Sequence, residues 1–347
     1  MKLLHLSHTD LDGYGCQYIS SKFFGHKYLY NSNYGNEITS KLKLMFSKIE
    51  EEEAGDGKKV FILITDLNLT TQDCKFIEQR ITELRASTGL AIELKLLDHH
   101  VSGEEQAREF AWYELDTSRC ATKMTYDFFG GSDWSSSRLV DAINAVDLWK
   151  EEKGAEFEFG KTLMRLITET KELNKLMFPS ESADYKLKAL EAAKEFLDSP
   201  DSHIALDDNI HFIKKEYLRA GGENNSIDNL ASDFVTKLLG EKKDEFTVWY
   251  KNYQGFMTVS VGNVSVIANG FLSKNHEYDF FIDVSPKGNI SLRSSNKADV
   301  CEIAKTVFNG GGHKNASGGR ANNIKDFYTY SEYKKTIDEI FRKAEGI

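Results

Sequence analysis

The sequence predicts an α/β protein with an N-terminal parallel-sheet domain, a helical connector and a smaller α/β domain at the C-terminus. Three observations carry this. The first 150 residues alternate short apolar runs with helix-period stretches, the pattern of a parallel sheet layered with helices. From residue 158 to 219 the pattern is helical and heavily charged, and past a Gly/Asn-rich stretch at 220–225 it turns β-rich. A chain of 347 residues suits two domains, and the expected boundaries are 1–157, 158–226 and 227–347.

In chain order, strands are expected over 3–7, 27–30, 60–65, 93–97 and 111–115, with helices over 15–24, 37–48, 72–86 and 117–129. The uninterrupted apolar run at 60–65 is that of a strand buried on both faces. Gly130-Gly131 breaks the pattern before a helix running through Asp147 and Trp149, and the glutamates at 50–53 read as a solvated helix end. Pro179 and Pro200 punctuate the connector. The C-terminal part opens with a helix near Ile227, followed by strands over 246–253, 257–261 and 264–268, the last two joined by a hairpin turn at Gly262-Asn263. Strands over 278–284 and 290–293, a helix over 299–308, a glycine run at 310–312 and a final helix over 331–344 complete the chain.

Composition excludes several classes. With 40% hydrophobic and 12% aromatic residues the chain can build sizeable cores and is not disordered. No apolar run approaches the roughly 18–20 residues that span a bilayer, and the N-terminus turns polar too early for a signal peptide. The four cysteines are far apart with no Cys-x-x-Cys pair, against a disulfide scaffold or thiolate zinc site; a reducing cytoplasm is expected. A net charge of −10 disfavours tracking along duplex nucleic acid, which calls for a basic face. An anionic substrate would need a local remedy, either metal ions or an Arg/Lys pocket.

Four acidic or histidine clusters fall at the ends of expected elements, where ligands collect in open α/β sheets. His8, Asp10 and Asp12 follow the first strand, with alternate spacing that lets them converge on one side of an extended loop before Gly13 turns the chain. Asp66 ends the strand at 60–65, Asp98-His99-His100 closes the next, and Asp147 lies near the end of a helix. Imidazoles with several carboxylates and no thiolate suit manganese or magnesium. A carboxylate shared by two ions would give a two-metal site for phosphoryl chemistry. Gly310-Gly311-Gly312 lets backbone N–H groups approach an anion, His313 adds a donor, and Arg293 can grip phosphate bidentately. Lys297, Lys314 and Arg320 are further sources of positive charge. Phe271, Tyr278, Phe280 and Phe281 stand at strand positions that favour core packing over base stacking.

The order His8-x-Asp10-x-Asp12-Gly13, Asp66, Asp98-His99-His100, Asp147 resembles the four motifs of the DHH phosphoesterase superfamily. The run from Gly310 to Gly319 resembles the glycine-rich motif of the DHH-associated (DHHA1) substrate-binding domain. Together they span nearly the whole chain. The resemblance implies two Mn²⁺ ions, replaceable by Mg²⁺ or Co²⁺: His8 and Asp10 on the first, Asp12, His99 and Asp147 on the second, and Asp66 bridging. It implies His100 as donor or general acid at the substrate phosphate, Asp98 as the residue orienting a histidine, and substrate contacts from Arg293, Ser294, Gly311, Gly312, His313, Lys314 and Ser317. The glycine-rich second domain argues against the family's pyrophosphatases, and the length and charge argue against its processive exonucleases. The expected function is hydrolysis of short single-stranded oligoribonucleotides or dinucleotides to nucleoside 5′-monophosphates. A cyclic-dinucleotide phosphodiesterase, a nucleoside-bisphosphate phosphatase and a non-catalytic nucleotide sensor are the alternatives. The connector is a spacer or a homodimer surface in this reading.

Overall fold

The computed structural model describes residues 1–52, 59–131 and 134–347 and divides into two compact units, Met1–Lys171 with Pro179–Ile213, and Glu172–Phe178 with Lys214–Ile347. In the first unit, β1 (Lys2–Ser7), β2 (Lys27–Asn31), β3 (Val60–Thr65), β4 (Ile92–Asp98) and β5 (Tyr113–Leu115) form a fully parallel sheet in the order β2-β1-β3-β4-β5. Every residue of β1 and β3 is buried. Successive crossovers leave β1 in opposite directions, so the topological switch point, where side chains at strand ends are free to form a site, lies between β1 and β3.

Helices α1 (Leu11–Ser20), α2 (Asn36–Glu52), α3 (Thr71–Thr88), α4 (Glu104–Glu109), α5 (Ala121–Phe128) and α6 (Trp134–Asp147) flank the sheet. Leu42, Met45, Ile77 and Ile81 from α2 and α3 pack on Leu4, Leu6, Ile62 and Ile64, the residues of one sheet face. Leu3, Phe61, Leu63 and Leu97 form the opposite face with Met124 of α5. The first helix begins at Leu11, four residues before the expected start, because Asp10 caps it by accepting a hydrogen bond from the Gly13 N–H at 3.0 Å. Asp12 therefore sits in the first helical turn rather than in an extended loop.

Residues 158–226 do not form a body of their own. Their helices, α7 (Ala155–Glu169), α8 (Pro179–Ala193) and α9 (Ser202–Arg219), keep apolar stripes beneath their charged faces. Phe159, Leu163, Leu166, Ala189, Leu190 and Leu206 join Tyr14, Leu139 and Ile143 in one core. The unit boundary falls inside α9, after Ile213, so the Gly/Asn-rich stretch at 220–225 lies within the second unit. The helix end at 50–53 is described as far as Glu52; Glu53 lies outside the described residues.

The second unit contains α10 (Ile227–Glu241), α11 (Lys243–Phe246), β6 (Thr247–Tyr250), β7 (Tyr253–Val259), α12 (Val264–Lys274), β8 (Phe280–Val284), β9 (Asn289–Ser294), α13 (Val300–Phe308), β10 (Gly311–His313), β11 (Ala316–Arg320) and α14 (Tyr330–Glu345). Its sheet runs β10-β11-β9-β8-β7-β6, antiparallel except for β7 with β8. The expected strand over 264–268 is instead the first turn of α12. Ile267, Ala268, Phe271 and Leu272 recur at helical spacing and are buried, and a parallel pair needs such a crossover where a hairpin cannot serve. The expected strand over 246–253 is split by a tight turn in which Lys251 has φ 53°.

The close approach of α6 to α7 depends on Gly160, where an added Cβ would lie 2.4 Å from the Ala142 carbonyl oxygen and 2.7 Å from Val146 Cβ. Gly160→Ala therefore lowers stability by about 1–3 kcal/mol through overpacking, although alanine is the better helix former. Thermal unfolding checks this; a rise in Tm would show that the contact is loose.

Candidate metal centre

Three neighbouring parallel strands deliver the site. Ser7 is in register with Thr65, and Thr65 with Leu97, so His8, Asp66 and Asp98 emerge side by side from β1, β3 and β4. Asp66 adopts φ 57°, the left-handed region unusual for a non-glycine residue, while its N–H donates to the Leu97 carbonyl at 3.0 Å. Strain of this kind persists where the surroundings over-determine it and clusters at functional positions. Asp147, the last residue of α6, completes the group.

The side chains form two sets that share one carboxylate. His8 Nδ1 lies 2.8 Å from Asp10 Oδ2 and 3.7 Å from Asp66 Oδ2. His99 Nε2 lies 3.4 Å from Asp66 Oδ1, 3.5 Å from Asp147 Oδ2 and 3.6 Å from Asp12 Oδ2. The two oxygens of Asp66 thus face different donor sets. The buried Asp66 Oδ2 has no hydrogen-bond partner among the described residues. Among the described residues, no lysine or arginine forms an ion pair with Asp10, Asp12, Asp66, Asp98 or Asp147.

This crowding shows in the protonation equilibria. Burial, then the charges of Asp12 and Asp10, push the Asp66 carboxyl well above the carboxylate range. The same causes raise Asp147 to about 8. Burial also acts upward on Asp10, but the hydrogen bond and charge of His8 and the Gly13 N–H together hold it below its ordinary value. His99 is lowered, chiefly by burial. Asp12 is anchored differently: its two oxygens accept the Ala121 and Thr122 N–H groups, each at 2.8 Å, at the start of α5. A cluster of imidazole nitrogens and uncompensated carboxylates fits hard divalent cations. An orphaned buried oxygen at its centre marks the same place.

His100 stands beside these sets. Its Nδ1 is 2.7 Å from Asp98 Oδ1, and Asp98 Oδ2 accepts the Tyr113 hydroxyl at 2.7 Å. The Asp98 hydrogen bond raises His100 above its usual value against the opposing effect of burial. His100 Nε2 is 3.0 Å from the Tyr34 hydroxyl, and the Tyr34 ring lies 4.6 Å from that of His8. Tyr34 and Tyr113 escaped the sequence reading, although Tyr34 follows the carboxyl end of β2, where the same strand-end rule applies. Cys120 was also missed: its Sγ lies within 4.8 Å of oxygens of Asp12 and Asp147, and burial pushes its thiol far up.

In the second unit, His313, Ala316 and Arg293 stand opposite one another across β10, β11 and β9, which places them on one face. Gly311, Gly318 and Ser291 form the adjacent row. Over β7 and β8 this face is covered by α12, whose Phe271 packs on Phe256 and Phe281. A Cβ on Gly311 would meet nothing within 4 Å. Arg293 donates to Ser265 Oγ at 2.9 Å in the first turn of α12. Ser294 and Ser317 spend their hydroxyls internally, on the Asp279 carbonyl at 2.8 Å and the His313 carbonyl at 2.7 Å. The Lys314 carbonyl accepts the Val300 N–H at 2.9 Å, and at the opposite end of β11 from Ala316 stands Arg320. Gly312, at φ 147°, has no room for a side chain beside the Ala316 carbonyl. Phe271, Tyr278, Phe280 and Phe281 are all core residues.

A carboxyl whose folded-state pKa is raised holds its proton between the ordinary value and the raised one, so its contribution to stability falls as pH rises across that window. For Asp147 the window runs from 3.8 to about 8. The metal-free protein accordingly loses Tm between pH 5 and 8, and Asp147→Asn loses less and melts a few degrees higher at pH 8. Parallel melting curves for the two proteins would refute this.

No protein-family model matches the chain. A protein of Helicobacter pylori named 3′,5′-cyclic-nucleotide phosphodiesterase is 40% identical over 353 residues, covering 99% of this chain and 100% of that protein. The crystal structure of an uncharacterized protein from Helicobacter pylori G27 superposes with a TM-score of 0.90 at 41% identity, covering 99% of both chains. Likeness to a pGpG-specific phosphodiesterase, PggH of Vibrio cholerae, covers 100% of this chain and 99% of that one, at 11% identity and a TM-score of 0.32 too distant to carry anything further. With a phosphodiesterase relative along its full length, and with the His/Asp motifs gathered at the sheet's switch point, the chain belongs to the DHH/DHHA1 superfamily of phosphoesterases.

Proposed function

We propose that this protein is a two-metal phosphodiesterase of small nucleotides, with 3′,5′-cyclic nucleotides as substrate and nucleoside 5′-monophosphates as product. The observation that carries the two-metal reading is the division of Asp66, one oxygen toward His8 and the other toward His99. The full-length relative, named for cyclic nucleotides, supports the substrate class. In this reading His8, Asp10 and Asp66 would hold one ion, and Asp66, Asp12, His99 and Asp147 the other, with Mn²⁺ expected first and Mg²⁺ or Co²⁺ as substitutes. When bound, such a pair supplies the Lewis acidity for attack of water on phosphorus. The chain's own contribution is a proton. His100, oriented through Nδ1 by Asp98, gives its Nε2 proton to the O3′ leaving group as the P–O3′ bond breaks, leaving the phosphate on O5′.

A second reading, hydrolysis of short oligoribonucleotides or linear dinucleotides, is favoured by the open row of Arg293 and His313. A terminal phosphate is an anion that an arginine and a histidine on one open face can hold. Gly311, Gly312, Lys314, Ser294 and Ser317 would then shape and support that phosphate site.

Digestion of 3′,5′-cyclic mononucleotides, cyclic dinucleotides and 5′-phosphorylated RNA of two to about 24 nucleotides in one Mn²⁺-containing panel separates these readings. Fastest turnover of cyclic mononucleotides is expected; turnover confined to short linear RNA would move the protein to the second reading. Asp66→Ala should reduce turnover by about three orders of magnitude or more and lower bound metal in elemental analysis, with circular dichroism unchanged. Near-normal activity would sink the bridging role. Arg293→Ala and His313→Ala should raise KM for 5′-phosphorylated dinucleotides by about 10- to 100-fold, the worth of a hydrogen bond to a charged group. Equal losses on a diester without a terminal phosphate would place these residues elsewhere in the reaction.

A further inference from the structure

His100 has two ring nitrogens, and both are engaged. Nδ1 faces Asp98 at 2.7 Å, and Asp98 also receives the His100 N–H at 3.3 Å and the Tyr113 hydroxyl at 2.7 Å. This pairing is buried on the Asp98 side and fixes the ring. Any contact between His100 and a substrate must therefore be made through Nε2, where the Tyr34 hydroxyl already sits at 3.0 Å.

We propose that the Tyr34 hydroxyl keeps the substrate's place on His100 Nε2, and that a phosphate oxygen enters the site by displacing it. The inference rests on the reading of His100 as the residue that meets the phosphate. Tyr34 then occupies Nε2 of a ring that Asp98 already holds, and yields that place when the anion arrives.

The surroundings of Tyr34 are built for such a movement. The residues before it are tied down. The Ser32 N–H donates to the Ser7 carbonyl at 3.0 Å, Asn33 Nδ2 donates to Glu37 at 2.8 Å, and the Thr9 hydroxyl donates to Asn33 Oδ1 at 2.8 Å. The residue after it is Gly35, at φ 83°, where an added Cβ would meet nothing within 4 Å. Glycine is thus required there by the backbone conformation and not by packing. Tyr34 itself is 43% exposed and rests against the rings of His8 and His100. A half-exposed tyrosine held by a hydroxyl contact and two ring contacts, between a fixed segment and a glycine, can leave His100 without unfolding anything else.

Tyr34→Phe keeps the ring on His8 and removes the competitor. Calorimetric titration of the Mn²⁺-loaded protein with 5′-AMP should show Kd falling by about 2- to 10-fold, the range of one net hydrogen bond. With whichever diester the panel identifies, the gain should appear as an equal fall in KM. An unchanged or higher Kd overturns the proposal, as does a loss expressed in kcat with KM unchanged, which would make Tyr34 part of the proton path. The binding arm needs no turnover, so a panel in which no diester is cleaved defeats the functional reading and leaves the 5′-AMP titration to decide on Tyr34. Active protein with the 5′-AMP affinity unmoved by Tyr34→Phe defeats this proposal alone.

Discussion

The structure turns on one electrostatic difficulty: Asp10, Asp12, Asp66 and Asp147 converge with histidines, and among the described residues no lysine or arginine forms an ion pair with them. Left in water such carboxylates would separate. The fold holds them by tethering each to a different rigid element. Asp10 caps α1, Asp12 receives two N–H groups of α5, Asp66 is fixed at the end of β3 in a left-handed conformation, and Asp147 ends α6. Helix N-termini supply partial positive charge to two of them. The other two retain the full cost, which is why their carboxyls are pushed upward.

Beneath this cluster lies a neutral polar network that keeps the strand ends in place. His5, fully buried, spans Ser20 Oγ and Thr65 Oγ1, each at 2.8 Å. Burial lowers it to about 3, so it works as a neutral ring. Ser7 continues the network to Thr65 Oγ1 at 2.7 Å and to the Gly13 carbonyl at 2.9 Å. The chain joining β1, β3 and α1 is thereby fixed one residue below His8 and Asp66. Gly13 completes the arrangement: an added Cβ would lie 2.3 Å from the His8 carbonyl oxygen, so the helix can start close to the strand only with glycine there.

Much of this was legible in the sequence, because strand-end placement depends on local pattern. The runs at 60–65 and 93–97 announced β3 and β4, and the residues that follow them are the ones the sheet brings together. What escaped was set by contacts distant in sequence. Tyr113 reaches Asp98 across 15 residues and Tyr34 reaches His100 across 66, and no periodicity records either. The apolar residues at 264–268, following Gly262-Asn263, read as a hairpin strand until the helical spacing of Ile267, Phe271 and Leu272 is considered with the parallel pairing of β7 and β8. The charged faces of α7 to α9 hid apolar stripes that belong to the first unit's core.

The glycine run shows how similar-looking residues divide their labour once the sheet is formed. Gly319 makes room for Phe308, whose Cβ would be 2.5 Å from an added side chain. Gly310 is equally constrained, since an added Cβ there would lie 1.9 Å from the Gly318 carbonyl oxygen, and both are therefore architectural. Gly311 faces open space on the side that carries Arg293 and His313, so its missing side chain leaves that surface flat. In a protein of net charge −10, anion recognition cannot come from a general basic field and must be concentrated at a few points. A cluster of carboxylates suited to cations in one unit and a glycine-floored row with one arginine in the other are each assembled from residues that would be unremarkable alone.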